Sequence, residues 1–309
     1  YDIRREYWLS ELIDAGETGS TLGVGTYLEH ARNTLNASVI NISHQGDWTR
    51  KNNLLQWGVS LQKEVIKDKI KEWEMRDSAG YSIPYQENSI PLFFSISGKN
   101  NLDSYRIQSF IQNTYKWYST WGFLNTILGL RANYWSVNEE MLISPRLAMS
   151  LFPEWEQDIA FRIAGGLYYQ APFYKELRYY KKDENENLTI ALNHQIKAQK
   201  SLHFLSGCDY YFRSWNRPFK LTTELYFKWS PLLTPYRVDN IKILYFGDMQ
   251  SKGYTAGIDF KLFGEIVPGT DSWVGFSLMQ SKESILRDNV YSAYTSRPSE
   301  QRYSFSLFF

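Results

Sequence analysis

Carboxylate side chains are the residues of this sequence most able to do chemistry, and they occur in three clusters. A glycosidase would need two such groups facing each other across a cleft. All three clusters fall in predicted loops, which favours ordinary solvated charge, with calcium or substrate binding as the alternative for the third. The clusters are Glu72 with Glu74, Glu139 with Glu140, and Asp183 with Glu184 and Glu186.

The four histidines and the single cysteine lack the spacing of metal ligands or activated nucleophiles. The sequence contains no His-Glu-x-x-His, Cys-x-x-Cys or Gly-x-Ser-x-Gly motif, and Gly23 and Gly25 lack the third glycine of a dinucleotide loop. We therefore predict no catalytic residue, no metal site and no cofactor, and we expect that the protein is not an enzyme. The residues concerned are His30, His44, His194, His203 and Cys208.

Composition narrows the classes of partner. With 34 basic and 33 acidic residues the net charge is +1, so the one-sided basic field that attracts nucleic acid is missing, and no nucleic-acid partner is expected. Aromatic residues make up 17 %, which suits either a membrane interface or a sugar-binding platform. No stretch approaches the roughly 18 apolar residues of a spanning helix. A chain that crosses a membrane would therefore cross it as strands.

Alternation of apolar and polar residues is the dominant pattern, repeated in roughly eleven segments of about ten residues. In residues 219–229, Phe219, Leu221, Leu225 and Phe227 occupy one face and charged or hydroxyl residues the other. Residues 253–263 repeat the design, and alternation places Cys208 on an apolar face, as a structural residue. These segments predict long antiparallel strands with one apolar and one polar face.

The predicted connections alternate in length, as the turns and loops of outer-membrane barrels do. Short turns are predicted at residues 119–121, 153–156, 213–217 and 268–271, and long connections at 66–100, 171–200, 230–252 and 282–301. Residues 238–246 resemble a protruding strand, and 63–73 have nearly helical spacing that leaves strand or helix open. The fold prediction is all-β: a transmembrane, antiparallel, up-and-down outer-membrane β-barrel.

Several segments resemble the barrel of Bacteroidetes TonB-dependent receptors that carry an N-terminal carboxypeptidase-regulatory-like domain. They are EWEMRDSAGY (72–81), SPRLAMS (144–150), APFYKELR (171–178), AQKSLH (198–203) and KGYTAGID (252–259). The resemblance implies a barrel of about 22 strands, an N-terminal plug and a TonB box. With about 11–14 strands predicted, residues 1–309 are expected to form one domain, a barrel fragment without plug or N-terminal domains.

The resemblance also implies partners and a location. Outer-membrane lipid and TonB, the latter through the missing N-terminal part, are the expected partners, with a surface lipoprotein as a further candidate. The location is then the outer membrane of a Gram-negative cell. Tyr303, Phe305, Leu307 and Phe309 alternate like a closing strand. Because the resembled proteins continue past such a segment, we expect truncation there.

The leading functional hypothesis is a receptor that actively imports a scarce ligand, of siderophore, vitamin, glycan or peptide class. Strand parity suggests the lumen-facing ligand-binding candidates Arg131, Arg162, Glu224, Tyr226 and Asp259. One alternative is a passive porin, with Phe309 as the real terminus and an initial strand near residues 1–8. Another is a soluble carbohydrate-binding β-sandwich that uses its aromatic residues as stacking platforms.

Overall fold

A computed structural model of the chain describes residues 2–7, 25–77, 90–182, 188–239, 242–267 and 269–309. Within these residues every regular element is a β-strand except one short 3₁₀ helix, η1, at Tyr174–Leu177. None of the described helical residues forms a helix long and apolar enough to cross a membrane. The all-β prediction is confirmed. The strands are β1 Asp2–Tyr7, β2 Gly25–Ala31, β3 Thr34–Arg50, β4 Asn53–Asp77, β5 Leu92–Ser119, β6 Gly122–Trp135, β7 Glu140–Pro153, β8 Asp158–Gln170, β9 Arg178–Lys182, β10 Leu188–Leu192, β11 Gln199–Ser214, β12 Arg217–Leu233, β13 Tyr236–Asp239, β14 Lys242–Tyr245, β15 Gln250–Gly264, β16 Ser272–Arg287, β17 Val290–Tyr291, β18 Thr295–Ser296 and β19 Tyr303–Phe308.

The chain divides into two compact units, to both of which β3, β4 and β5 contribute residues. Unit 1 comprises Tyr1–Val39, Glu64–Asp103 and Arg178–Leu192. In it β1 pairs with β2, β2 with β4, and β9 with β10, all antiparallel, while β10 pairs with β5 in parallel.

The core of unit 1 is formed by alternate residues of β4. Ile66, Asp68 and Ile70 are all buried, and Arg178 pairs with the Asp68 carboxylate at 2.6 Å. Burial at every second position is the signature of a strand. The helical alternative for residues 63–73 is therefore wrong, and so is the placement of Glu72 and Glu74 in a loop, because both lie in β4.

Unit 2 comprises Ile40–Lys63, Ser104–Leu177 and Asn193–Phe309. It is an antiparallel meander in which consecutive long strands are neighbours. The order runs β3, β4, β5, β6, β7, β8, then β11, β12, β15, β16 and β19. Up-and-down connection of neighbouring strands confirms the predicted topology.

Most of the short turns described in this meander lie at one edge, although the turn at residues 136–139 lies at the other. The turns at this edge occupy residues 51–52, 120–121, 154–157, 215–216 and 265–271, of which the last four lie near the places predicted; Pro268 lies outside the described residues. Trp215 and Asn216 have φ values of 51° and 64°, the pattern of a type I′ turn. This turn matches the right-handed twist of the strands and sets the register between β11 and β12.

The connections predicted to be long contain more regular structure than predicted. Part of the supposed loop 66–100 belongs to β4 and β5, and the connection 171–198 contains η1, β9 and β10. The predicted strand at 238–246 is a hairpin of β13 and β14, with residues 240–241 outside the described set. Backbone pairing with neighbours explains these differences, since pairing extends strands beyond their alternating segments. The acidic cluster at 183, 184 and 186 lies outside the described residues.

Candidate functional site: the polar face of unit 2

The sheet of unit 2 has two chemically different faces. The polar face is defined by a transverse row of residues in register on adjacent strands. The apolar face is formed by the intervening residues of the same strands, because successive side chains point to opposite sides. The row runs Lys116, Asn125, Ser150, Arg162, Gly207, Glu224, Asp259, Ser277 and Ser304.

The apolar face is exposed along its whole width. Leu128 is 58 % exposed, Ile163 52 % and Leu225 53 %. Soluble monomers rarely expose a continuous apolar patch of more than a few hundred Å², and this one continues across at least nine strands. Other exposed members are Ile42, Trp57, Ile111, Ile143, Phe204, Phe276 and Phe305.

Exposed tryptophans mark the short-turn edge of unit 2. Trp121, Trp155 and Trp215 each lie in a short turn, and Trp48 lies just before another. Indole rings are favoured at a membrane interface, where one side of the ring is apolar and the ring nitrogen can reach water. The edge therefore has the composition of an aromatic girdle.

The predicted site residues lie on the polar face, and the register brings most of them together. Glu224 is the direct cross-strand partner of Asp259, and Tyr226 is the partner of Gly257, over which its phenol ring lies. Arg162 belongs to the same row as Glu224, separated by Gly207. Arg131 does not join this group. No described set of three or more His, Cys, Asp or Glu residues could hold a metal ion.

Asp209 is the most connected carboxylate of the polar face. It accepts hydrogen bonds from Arg162 Nη2 at 3.1 Å and Thr222 Oγ1 at 2.8 Å, and Lys220 Nζ lies 3.3 Å away. The Arg162 guanidinium reaches it across Gly207, where an added Cβ would lie about 3.5 Å from Nη2. With 6 % of Asp209 exposed, this cluster joins three strands around a buried charge.

Arg131 lies instead in a second cluster, which we call the arginine pocket. This is a cavity of about 190 Å³ on β5, β6 and β7 and the end of β8. The Arg106 guanidinium stacks 4.1 Å from the centre of the Trp135 ring, and that of Arg146 lies 4.2 Å from the centre of the Tyr168 ring. Its lining residues are Arg106, Gln108, Arg131, Asn133, Tyr134, Trp135, Leu142, Arg146, Tyr169 and Ala171.

A buried carboxyl lies outside the strands, in the connection between β8 and β9. Glu176 of η1 is 2 % exposed. It accepts hydrogen bonds from the Phe173 backbone N–H at 3.1 Å and from Gln199 Nε2 at 2.7 Å. Burial raises the pKa of Glu176 to about 7, although both hydrogen bonds oppose the shift.

The raised pKa of Glu176 predicts that the connection loosens as pH rises. The folded state holds its proton up to about pH 7 while the unfolded state loses it near 4.5, so stability falls as pH rises from about 4.5 through 7. Hydrogen exchange at Phe173 and Leu177, corrected for intrinsic rates, should be faster at about pH 8 than at about pH 6. In Glu176→Gln, which cannot ionise, the difference should vanish. Equal pH dependence in both proteins would contradict the prediction.

Four important residues were missed from the sequence: Arg106, Arg146, Asp209 and Glu176. Arg146 and Asp209 alternate with apolar residues in their strands, so strand parity could have found them. Arg106 also alternates with its neighbours Tyr105 and Ile107, so the same reasoning applied to it. Glu176 lies in a connection without alternation, and for this residue the local pattern carried no usable signal.

No protein-family model and no curated protein matches the sequence. Among solved structures, the chain is similar to the RagAB peptide transporter, with 10 % identity and a TM-score of 0.48 over 85 % of this chain and 32 % of that one. The RagAB peptide importer in its "open-open" state has 10 % identity and a TM-score of 0.46, over 85 % of this chain and 31 % of that one. A mutant of the ferric enterobactin receptor PfeA of Pseudomonas aeruginosa has 12 % identity and a TM-score of 0.43, over 87 % of this chain and 45 % of that one. The chain thus spans less than half of each of these proteins.

Proposed function

We propose that this chain is part of the barrel wall of an outer-membrane transporter that imports a scarce ligand. The continuous exposed apolar face, edged by tryptophans at the short turns, is the observation that carries this proposal. An apolar face of this kind would contact the hydrocarbon chains of lipid. Strands of 13 to 17 residues in β6, β8 and β12 exceed the roughly 9–11 needed to cross a bilayer.

A hydrogen-bonding argument also favours a membrane barrel over a soluble sandwich. The long strands satisfy their backbone groups by pairing with sequential neighbours, as hydrocarbon requires. A sandwich would instead bury its apolar side chains against a second sheet. In unit 2 large apolar side chains such as Leu128 and Leu225 are exposed, while charged Asp209 is buried. This distribution is the reverse of that in a soluble protein, and it supports a polar, hydrated interior and an apolar exterior.

Energy coupling through TonB is the finer part of the proposal and is supported by the sequence resemblance. The whole transporter would contact TonB through a segment outside this chain, and a surface lipoprotein would be a further partner. The polar face of unit 2 would then form part of the ligand pathway. Arg131, Arg162, Glu224, Tyr226 and Asp259 remain the proposed lumen-facing candidates.

Dependence of uptake on TonB is the prediction that tests this function. In the parent strain the protein should be recovered in the outer-membrane fraction. A strain that lacks its gene should lose growth on one defined iron or carbon source. Deletion of TonB in the parent strain should cause the same growth loss, because import against a gradient needs its energy. The measurement is growth on a panel of single iron and carbon sources.

Two results would overturn the proposal. Recovery of the protein in the soluble fraction would exclude a role as part of a membrane barrel. Uptake that is unchanged without TonB, together with steady ion conductance of the purified protein in planar bilayers, would indicate a passive channel instead.

A further inference from the structure

We propose that the arginine pocket binds an oxyanion, a carboxylate or phosphate group, of the transported ligand. The inference rests on the proposed transport function, since it names the ligand chemistry of that pathway. It is carried by the arginines that line one cavity on the polar face and by buried donors that lack partners there.

Charge is the first argument. Among the described residues that line the pocket there is no Asp or Glu. The guanidinium groups of Arg131 and Arg146 make no hydrogen bond or ion pair with another residue in the part of the chain that the structure describes. Other arginines of unit 2 do have a carboxylate partner: Arg162 pairs with Asp209, Arg217 with Glu265 and Arg297 with Glu283. Arg131 and Arg146 therefore bring two positive charges to the pocket with no carboxylate among their described partners.

The strand register holds these like charges close together. Arg131 is the cross-strand partner of Ser144, which lies two positions before Arg146 on the same face of β7. Such diagonal neighbours have backbones about 7–8 Å apart. The Arg146 side chain packs against the glycine at 166, where an added Cβ would lie 3.0 Å from Arg146 Cγ. Repulsion between the two guanidinium groups is relieved when an anion binds between them.

Unpartnered buried donors are the second, independent argument. Trp135 is 2 % exposed and lines the pocket, yet its Nε1–H has no hydrogen-bond partner within the described residues, and the same holds for Arg146 Nε. A buried donor left unsatisfied costs about 1–3 kcal/mol. An oxyanion offers several acceptor lone pairs to donors of this kind, whereas a cation offers none.

The geometry of the donors suits an oxyanion. Guanidinium groups present parallel N–H donors that match the two oxygens of a carboxylate or a phosphate edge. Stacking on Trp135 and a hydrogen bond from Arg106 Nη2 to the Pro172 carbonyl at 2.9 Å hold Arg106 in place. A cavity of about 190 Å³ has room for one such group and part of its carrier.

Isothermal titration of the purified full-length protein in detergent tests the site, with inorganic phosphate and citrate as probes. Arg131→Gln combined with Arg146→Gln should weaken binding of the preferred probe by about 10-fold or more, because two charge-assisted contacts are lost. Arg213→Gln, an exposed arginine outside the pocket, should stay within about two-fold and is the matched control. Binding should also weaken between about 50 and 300 mM NaCl. The tighter probe identifies the oxyanion as phosphate or carboxylate.

Undiminished binding in the double variant, or no binding of either probe to the unmodified protein, would overturn the inference. If the double variant does not fold, the single Arg131→Gln change, at an exposed residue, decides the same question. Neither result bears on TonB-dependent uptake. Conversely, arginine-dependent binding combined with TonB-independent uptake would overturn the transporter proposal alone.

Discussion

Leu128→Arg is expected to prevent stable assembly in the outer membrane, whereas Ile127→Arg at the preceding position is expected to be tolerated. Leu128 is 58 % exposed on the apolar face, and Ile127 lies on the polar face of the same strand. Arginine on the lipid side near the bilayer midplane costs about 2–4 kcal/mol, while on the wet side it remains hydrated. This cost is a large part of the total stability of a typical protein, so the amount of folded protein should fall.

The measurement is the amount of folded protein in the outer-membrane fraction, together with urea unfolding in lipid vesicles. Both variants replace an aliphatic residue of β6 by arginine, so they add the same charge at neighbouring positions of one strand. A difference between them therefore reports the face on which the residue lies. Equal behaviour of the two variants would remove the main support for a lipid-facing surface. A soluble, folded Leu128→Arg protein would contradict it directly.

Asp209→Ala is expected to destabilise unit 2 by about 2–3 kcal/mol, somewhat less than the roughly 3–5 kcal/mol typical of breaking a fully buried ion pair. The change leaves Arg162 and Lys220 without their shared carboxylate and removes an acceptor from Thr222. The effect is reduced because 37 % of the Arg162 side chain and 32 % of the Lys220 side chain remain exposed. Equilibrium unfolding in detergent or vesicles measures it.

Thr222→Val is the control for Asp209→Ala, because it removes one hydrogen bond and no charge and should cost about 1 kcal/mol. A double-mutant cycle of Asp209→Ala with Arg162→Met isolates the pair, and the double variant should be less destabilised than the sum of the single changes. Strict additivity, or a cost for Asp209→Ala no larger than for Thr222→Val, would show that the cluster does not hold these strands together.

Alternation in the sequence predicted the central parts of strands well and their ends poorly. The segments at 219–229 and 253–263 lie inside β12 and β15, and the turns around Trp121 and Trp215 fall where expected. The helical spacing at 63–73 misled because the polar Asp68 is buried beside Ile66 and Ile70, with Arg178 as its partner. A distant residue supplied the compensation that local reasoning lacked.

The sequence alone determined the class of most elements, the two faces of the strongly alternating strands and most of the short turns, because strand alternation and turn chemistry are local properties. Strand parity put Arg131, Arg162, Glu224, Tyr226 and Asp259 on the polar face, and their role in binding a ligand stays a prediction. Only the tertiary structure decided which of them are neighbours. Arg162 meets Asp209 across 47 positions of chain, and Arg106 meets Arg131 and Arg146 in one cavity, because the register between strands arises from pairing and not from any one segment.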